Sequence, residues 1–370
     1  MRPPPLAGIP SGVLLLLQSV QAGRALAATS VAAFHLSLMM GDPRYGGSTV
    51  FERYTREGNL GVDFFFVLSG FIIMFAHARD IGRPQAVGHY LRRRWARLFP
   101  IYWLYTLGIT ALVLLGLGSA TPIPDTAADW LSAITLIRFT PVEAPIRVAW
   151  TLFHEVAFYL AFALLILNKR LGIAFFTAWG LVCLWVFKFA GEGINTPGFV
   201  YTSLPNFYFL LGMGAYLLMR RGGSGWWELG VGAAIVAVVA GYWPPVGERW
   251  AEFPVVIGFA FLLAGITKFE RNAPIELPRS VLAVGDASYS LYLLHLPLSG
   301  LLLKLVDASG VQDAIGERAT YLLVLGGAIG VSVLAYRLVE APLLRRLRVQ
   351  PAVAHPRERR SAPGPEEAAP

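Results

Sequence analysis

Charge is scarce in this sequence: 15% of its 370 residues are charged, against about 25% in a soluble globular chain. A water-soluble enzyme of this size needs a charged surface that the chain does not have, which excludes that class. Cysteine is almost absent, and the single Cys183 sits inside the apolar run Trp179–Phe187. A disulfide framework and a cysteine metal site are therefore both unavailable. Also missing are an internal repeat, a Gly-rich phosphate loop and an HExxH pair, so no metal site is expected. Hydrophobic residues take up the difference, at 55% of the chain with a mean hydropathy of +0.56. Aromatic residues make up 13%, which suits the interfacial belts of a membrane protein. The net charge of +8 raises the question of nucleic acid, but most of the cations lie between apolar runs. Membrane topology explains that placement, and no nucleic-acid partner is expected.

A helix needs roughly 20 apolar residues to cross the hydrocarbon core. Such runs lie at 24–41, 58–78, 98–118, 149–168, 171–190, 199–219, 226–243, 252–267, 281–305 and 319–343. The expected fold is thus an all-α polytopic integral membrane protein of about ten transmembrane helices. With the N-terminus placed in the cytoplasm, the cytoplasmic loops hold Arg79, Arg83, Arg92, Arg93, Arg94 and Arg97, then Lys169 and Arg170, Arg220 and Arg221, and Lys268, Arg271 and Arg279. Arg345, Arg346 and Arg348 flank the last span, while the opposite loops are poorer in cations and mixed with acids. This positive-inside asymmetry puts both termini in the cytoplasm. Residues 1–14 read as a cytoplasmic extension, 15–348 as the membrane domain and 349–370 as a disordered tail rich in Pro, Arg, Glu and Ala. The start of the chain loosely resembles a signal peptide, but its apolar run Val13–Leu17 is short and Arg24 interrupts any cleavage site, so cleavage is not expected.

Ionisable residues inside such spans are costly unless paired or functional. His35 lies deep in the first span among Ala32, Ala33, Phe34 and Leu36. It reads either as a histidine bonded to a neighbouring helix or as a general base. Asp63 is a helix-start acid or a partner for His35. Arg92, Arg93, Arg94 and Arg97 place four arginines in six residues. Arg93 and Arg94 share a helix face with Arg97, which makes either a lipid anchor or a site for a phosphorylated ligand. His154 and Glu155 fall in the fourth span, and Glu155 needs a cationic partner there. Ser288, Tyr292 and His295 stand at i, i+4 and i+7, one face that either lines an aqueous cavity or binds helices together. The sum is a polar chamber with an arginine-rich cytoplasmic mouth, which suits a transferase drawing an anionic donor from the cytoplasm and equally a transporter.

Several motifs carry a resemblance. Arg24-Ala-Leu-Ala-Ala with Phe34-His35, Gly61-Val-Asp-Phe-Phe-Phe-Val-Leu-Ser-Gly-Phe71 and Arg93-Arg94-x-x-Arg97-Leu-x-Pro100-x-Tyr102 resemble the opening half of the acyltransferase type 3 family. Trp150-Thr-Leu-x-x-Glu155-x-x-Phe158-Tyr159, Ser288-Tyr-Ser-Leu-Tyr-Leu-Leu-His295-x-Pro297 and Glu340-x-Pro342 continue it in the family's order. The run Leu17-Gln-Ser-Val-Gln-Ala-Gly-Arg24 and the compact length are most similar to the exopolysaccharide-production branch.

The resemblance implies a ten-span O-acyltransferase of the bacterial inner membrane. It would move an acyl group, usually acetyl, from cytoplasmic acyl-CoA to a sugar hydroxyl of a glycan or lipid-linked glycan. Acyl-CoA is then a co-substrate and no bound cofactor is implied. His35 would be the base, with Asp63 and Glu155 as further active-site acids. Arg93, Arg94 and Arg97, with Ser69 and Phe71, would meet the donor. Trp150, Tyr159, Tyr289, Tyr292 and His295 would meet the substrate. Membrane lipid and a second copy of the chain are further partners this reading admits. A His154-Glu155 pair departs from the family's usual residues at that motif. The rival reading is a secondary transporter or exporter of a glycan, which would show paired broken helices.

Overall fold

The structure is a computed structural model that describes residues 17–116, 123–190, 196–241 and 249–347. The extension 1–14 and the tail 349–370 lie outside the described residues, as do the ends of the expected spans at 117–118 and 242–243. The described residues form helices and connections with no strand, the outcome expected where no water is present to satisfy backbone groups.

The chain runs through α1 (Gln18–Gly41), the short α2 (Glu52–Thr55), α3 (Leu60–His77), α4 (Val87–Leu114) and α5 (Ala127–Thr135). It continues through α6 (Trp150–Leu167), α7 (Lys169–Trp185), α8 (Pro197–Thr202), α9 (Pro205–Arg220), α10 (Trp226–Gly241) and α11 (Arg249–Asn272). The last elements are α12 (Arg279–Asp286), α13 (Ser288–Ala308), α14 (Val311–Ala335) and α15 (Ala341–Arg346). Among the described residues, seven helical stretches are long and apolar enough to cross a bilayer; they contain α3, α4, α6, α7, α11, α13 and α14. The protein is an all-α polytopic membrane protein. The other three expected spans coincide with α1, α9 and α10, of which α9 and α10 have 16 residues each.

Two expected spans are broken. The run 199–219 divides into α8 and α9, because Pro205 has no N–H to give the Tyr201 carbonyl. Trp179 Nε1 donates to that oxygen instead, and Asn206 Nδ2 donates to the carbonyls of Val200 (2.7 Å) and Ser203 (3.2 Å). The run 281–305 likewise divides at Ala287 into α12 and α13. A π-turn at Tyr336–Glu340 precedes Pro342 and directs Glu340 into the protein, fully buried.

One end of the bundle gathers the cations. Gly82 N donates to Leu165 O, Leu277 N to Gln18 Oε1, Asn272 Nδ2 to Gly223 O, and the Glu270 carboxylate caps the backbone of Gln18 and Ser19. These bonds join the start of α1 and the ends of α3, α6, α9 and α11 on a single side. Around the girth the helices turn apolar side chains outward: α7 buries only Gly172, Phe176, Gly180 and Cys183, one face at helical spacing, and leaves Leu181 and Trp185 exposed. Such a face is stable against lipid, not water.

The position of α3 depends on its crossing with α9. A Cβ on Gly70 would collide with the Phe209 carbonyl, and one on Gly212 with the Val67 carbonyl. Small residues let two membrane helices approach this closely. The crossing turns Phe65, Phe66 and Ser69 inward and brings Phe209 beside them. Gly212→Val should therefore lower the melting temperature of the purified protein, by overpacking that costs about 1–3 kcal/mol or more. Gly214→Val, where a Cβ meets nothing within 4 Å, is the control; equal melting temperatures for the two variants would contradict this account of the crossing.

Candidate active site

A cavity of about 320 Å³ lies between α1, α3, α4, α6 and α13. Its cation-rich end is formed by Ala76 and His77 at the close of α3 and by Arg93, Arg94 and Arg97 in the first turns of α4. Toward the bundle centre its wall passes Arg24, Ser288, Glu155, Tyr159 and Tyr289 and ends near Thr151, Tyr292 and Phe65. Of the residues singled out in the sequence, Ser69, Arg93, Arg94, Arg97, Glu155, Tyr159, Tyr289 and Tyr292 line this cavity.

The wall's polar groups are held in place by one another. Tyr159 Oη donates to Glu155 Oε1 at 2.5 Å, and the Arg94 guanidinium stands over the Tyr159 ring, 5.9 Å from its centre. Arg97 pairs with the buried Glu340 at 3.8 Å, and Ser290 Oγ donates to the other oxygen of that carboxylate at 2.7 Å. Arg24 donates through Nε and Nη2 to Ser288 Oγ at 3.0 and 2.8 Å. Tyr289 Oη donates to the Leu98 carbonyl. Among the described residues, four guanidinium groups and one carboxylate line the cavity, and that carboxylate, Glu155, is bonded to a phenol. That excess of positive charge in a poorly solvated space favours an anionic ligand.

The remaining expected residues lie outside this wall. Phe71, two positions from Ser69, points to the other side of α3, where its ring stacks on Phe75 and meets Tyr216 edge-on. Asp63 occupies the first turn of α3, and Trp150, at the start of α6, is 43% exposed and packs against Phe66 and His154. His154 turns away from Glu155: its Nδ1 bonds Asn206 Oδ1 at 3.1 Å and ties α6 to the break between α8 and α9.

His35 and His295 form a pair behind Tyr292. His295 Nδ1 lies 2.7 Å from the Tyr292 carbonyl, and His35 Nδ1 lies 3.0 Å from the Val31 carbonyl. A carbonyl only accepts, so both Nδ1 atoms carry hydrogen in the neutral pair. His295 Nε2, 3.2 Å from His35 Nδ1, is then the acceptor, and His35 Nε2 keeps a lone pair. His35 is thus bonded to a neighbouring helix through His295 of α13, one of the two readings its sequence position allows. His295 is almost fully buried and its nitrogens are occupied by protein groups, an arrangement suited to holding His35 in place.

Sequence reasoning assigned no role to Arg24, Thr151, His77 or Glu340. The motifs containing Arg24 and Glu340 gave a signal for two of them, and the spacing His77-x-x-Asp80 could have flagged a third, since His77 Nδ1 lies 2.8 Å from Asp80 Oδ2. Thr151 offers no signal before the fold is known.

A family model for an acyltransferase domain of type 3 matches residues 17–337. The chain belongs to the acyltransferase 3 family. Proteins similar to it include the exopolysaccharide production protein ExoZ of Rhizobium meliloti, 29% identical over 320 residues, 80% of this chain and 93% of that protein. The acyltransferase MdmB of Streptomyces mycarofaciens is 31% identical over 156 residues, 40% of this chain and 38% of MdmB. Protein 2 in the picA locus of Rhizobium radiobacter is 30% identical over 124 residues, 29% of this chain and 65% of that protein. No solved structure matches the chain. As an acyltransferase 3 protein, the chain is a multi-pass membrane enzyme that transfers acyl groups other than amino-acyl groups.

The ion pair beside the cavity yields a stability test. Arg97→Ala leaves the Glu340 carboxylate buried without its cation, a loss of about 3–5 kcal/mol. Thermal unfolding in detergent should show a clear drop for Arg97→Ala and partial recovery in Arg97→Ala/Glu340→Gln. A single variant as stable as the wild type would show that the pair does not hold α4 to the end of α14.

Proposed function

We propose that the protein transfers a short acyl group, acetyl first, from cytoplasmic acyl-CoA to a hydroxyl of an exported or lipid-linked glycan. The observation that carries this reading is the cavity itself: cations at one end, the His35–His295 pair beyond the other, and apolar walls carrying a few polar side chains between. The name of the relative ExoZ supports an exopolysaccharide as the acceptor class. The positive-inside pattern supports ten spans with both termini in the cytoplasm of a bacterial inner membrane, the cation-rich end of the cavity facing inward. Residues 15–348 then form the catalytic domain between a cytoplasmic extension and tail.

The donor's phosphates dock on Arg93, Arg94 and Arg97, where planar guanidinium groups offer paired donors to phosphate oxygens. The pantetheine arm follows the passage beside Glu155, Tyr159 and Tyr289 toward Thr151 and Tyr292. A cavity of about 320 Å³ leaves room for a slender arm with a small acyl group. Eleven residues at 1.5 Å each set His35 about 16 Å farther along α1 than Arg24. His35 is therefore near the end of α1 opposite the cations, on the side from which an exported glycan arrives. Its Nε2 takes the acceptor's hydroxyl proton as that oxygen attacks the thioester carbon. The tetrahedral adduct then expels the CoA sulfur, which leaves as the thiol by taking the proton from His35. His295 accepts from His35 Nδ1 and fixes the tautomer that presents Nε2. A positioned base accelerates such a step by roughly 10²–10⁴-fold.

Purified protein in nanodiscs should transfer label from [acyl-¹⁴C]acetyl-CoA to a member of a bacterial glycan panel. His35→Ala should reduce that transfer by about 10²-fold or more with acetyl-CoA binding retained, and transfer at the wild-type rate would remove His35 as base. Arg93→Ala/Arg97→Ala should weaken acetyl-CoA binding in an equilibrium titration. An unchanged affinity would show that the donor's phosphates bind elsewhere.

A further inference from the structure

Near its end the cavity is lined by two residues whose hydroxyls the steps above leave without a task. Thr151 and Tyr292 both line it, and both are buried. Their oxygens lie 3.0 Å apart; Thr151 Oγ1 is 3.1 Å and Tyr292 Oη 3.2 Å from the Val148 carbonyl oxygen. Three short contacts share two protons, so one contact is always left without a hydrogen. Either hydroxyl alone satisfies Val148. If Thr151 donates to that carbonyl, the phenol proton is free to turn toward a ligand. If Thr151 donates to Tyr292 Oη instead, the phenol proton is the one that meets Val148, so Thr151 frees the phenol by taking that carbonyl itself.

The placement of Tyr292 makes that spare proton useful. Its ring centre is 6.0 Å from that of Phe65, which lines the cavity, and 6.0 Å from that of His295, which bonds His35. Its own carbonyl accepts from His295 Nδ1. One residue therefore bridges the chamber and the support of the base. Arg24, the cation deepest along α1, is tied to Ser288, a full turn of α13 before Tyr292.

We propose that the Tyr292 hydroxyl, backed by Thr151, is the oxyanion donor of the acyl transfer. The assignment rests on the reading that the chamber holds the acyl thioester. The acceptor oxygen bonds to the thioester carbon while its proton passes to His35 Nε2. The carbonyl π electrons move onto oxygen, and that oxyanion accepts the Tyr292 hydrogen. On collapse the C=O bond re-forms, the C–S bond breaks and the sulfur takes the proton from His35. Tyr292 donates throughout and returns unchanged. The bond forms most strongly where charge develops, which is the condition for lowering the barrier and not merely binding the donor.

Tyr292→Phe removes one oxygen and leaves the ring in place. Thiol release from acetyl-CoA should fall about 10²–10³-fold, the usual effect of losing one such donor, with acetyl-CoA affinity unchanged. Thr151→Val should give a smaller loss in the same direction. A second readout separates chemistry from packing: the carbonyl stretch of a ¹³C-labelled ketone analogue of acetyl-CoA, with methylene in place of sulfur, bound to protein in nanodiscs. The wild type should shift that band to lower frequency, and Tyr292→Phe should abolish the shift. Binding with the same band in wild type and Tyr292→Phe would overturn the assignment while leaving the donor site standing. Failure of the wild type to bind the analogue would overturn the donor-site reading, and the assignment with it. If Tyr292→Phe does not fold, a Thr151→Val protein with wild-type turnover and an unmoved band decides against the hydroxyl pair.

Discussion

Everything in this protein is constrained by the cost of placing a polar group where no water can reach it. The backbone meets that constraint by being helical, and where a helix breaks, side chains supply the missing partners. Pro205 shows this in detail. Its absent N–H leaves the Tyr201 carbonyl to Trp179, and Asn206 holds the two carbonyls nearby while also receiving His154. The same constraint organises the charges. Glu340 is fully buried because Arg97 and Ser290 meet it there, and Glu155 is bonded by Tyr159. After these pairings the chamber retains uncompensated guanidinium groups, which makes it receptive to an anion entering from the cation-rich end of the bundle.

The residues most readable from sequence were those the membrane makes expensive. Arg93, Arg94, Arg97 and Glu155 stand out because a charge beside or inside an apolar run is itself a signal. The stripe Ser288, Tyr292, His295 follows from helical spacing, and each member does face α1 or the chamber: Ser288 meets Arg24, Tyr292 lines the cavity and His295 meets His35. What sequence could not supply was which distant residues meet. The histidine partner of His35 lies 260 positions away in the chain. Thr151 differs in no visible way from other threonines until the α6–α13 contact exists.

Motif membership also proved coarser than geometry. Ser69 and Phe71 belong to one run, yet two residues turn a helix by about 200°, so one faces the chamber and the other the α9 side. The close crossing of α3 and α9 decides which, through Gly70 and Gly212. Likewise 199–219 reads as one apolar span by composition. Its break is legible only once Pro205 is weighed together with the side chains that replace its hydrogen bond.

The central claim is that an anionic acyl donor enters the chamber from the cytoplasmic face. A single cysteine at Ala76, in the cavity wall, tests it in a Cys183→Ala background. Membrane-impermeant maleimide is applied to right-side-out and inside-out vesicles, with and without acetyl-CoA. The account predicts labelling only in inside-out vesicles, with protection by acetyl-CoA. Labelling from the outer face, or labelling that acetyl-CoA does not slow, would contradict it.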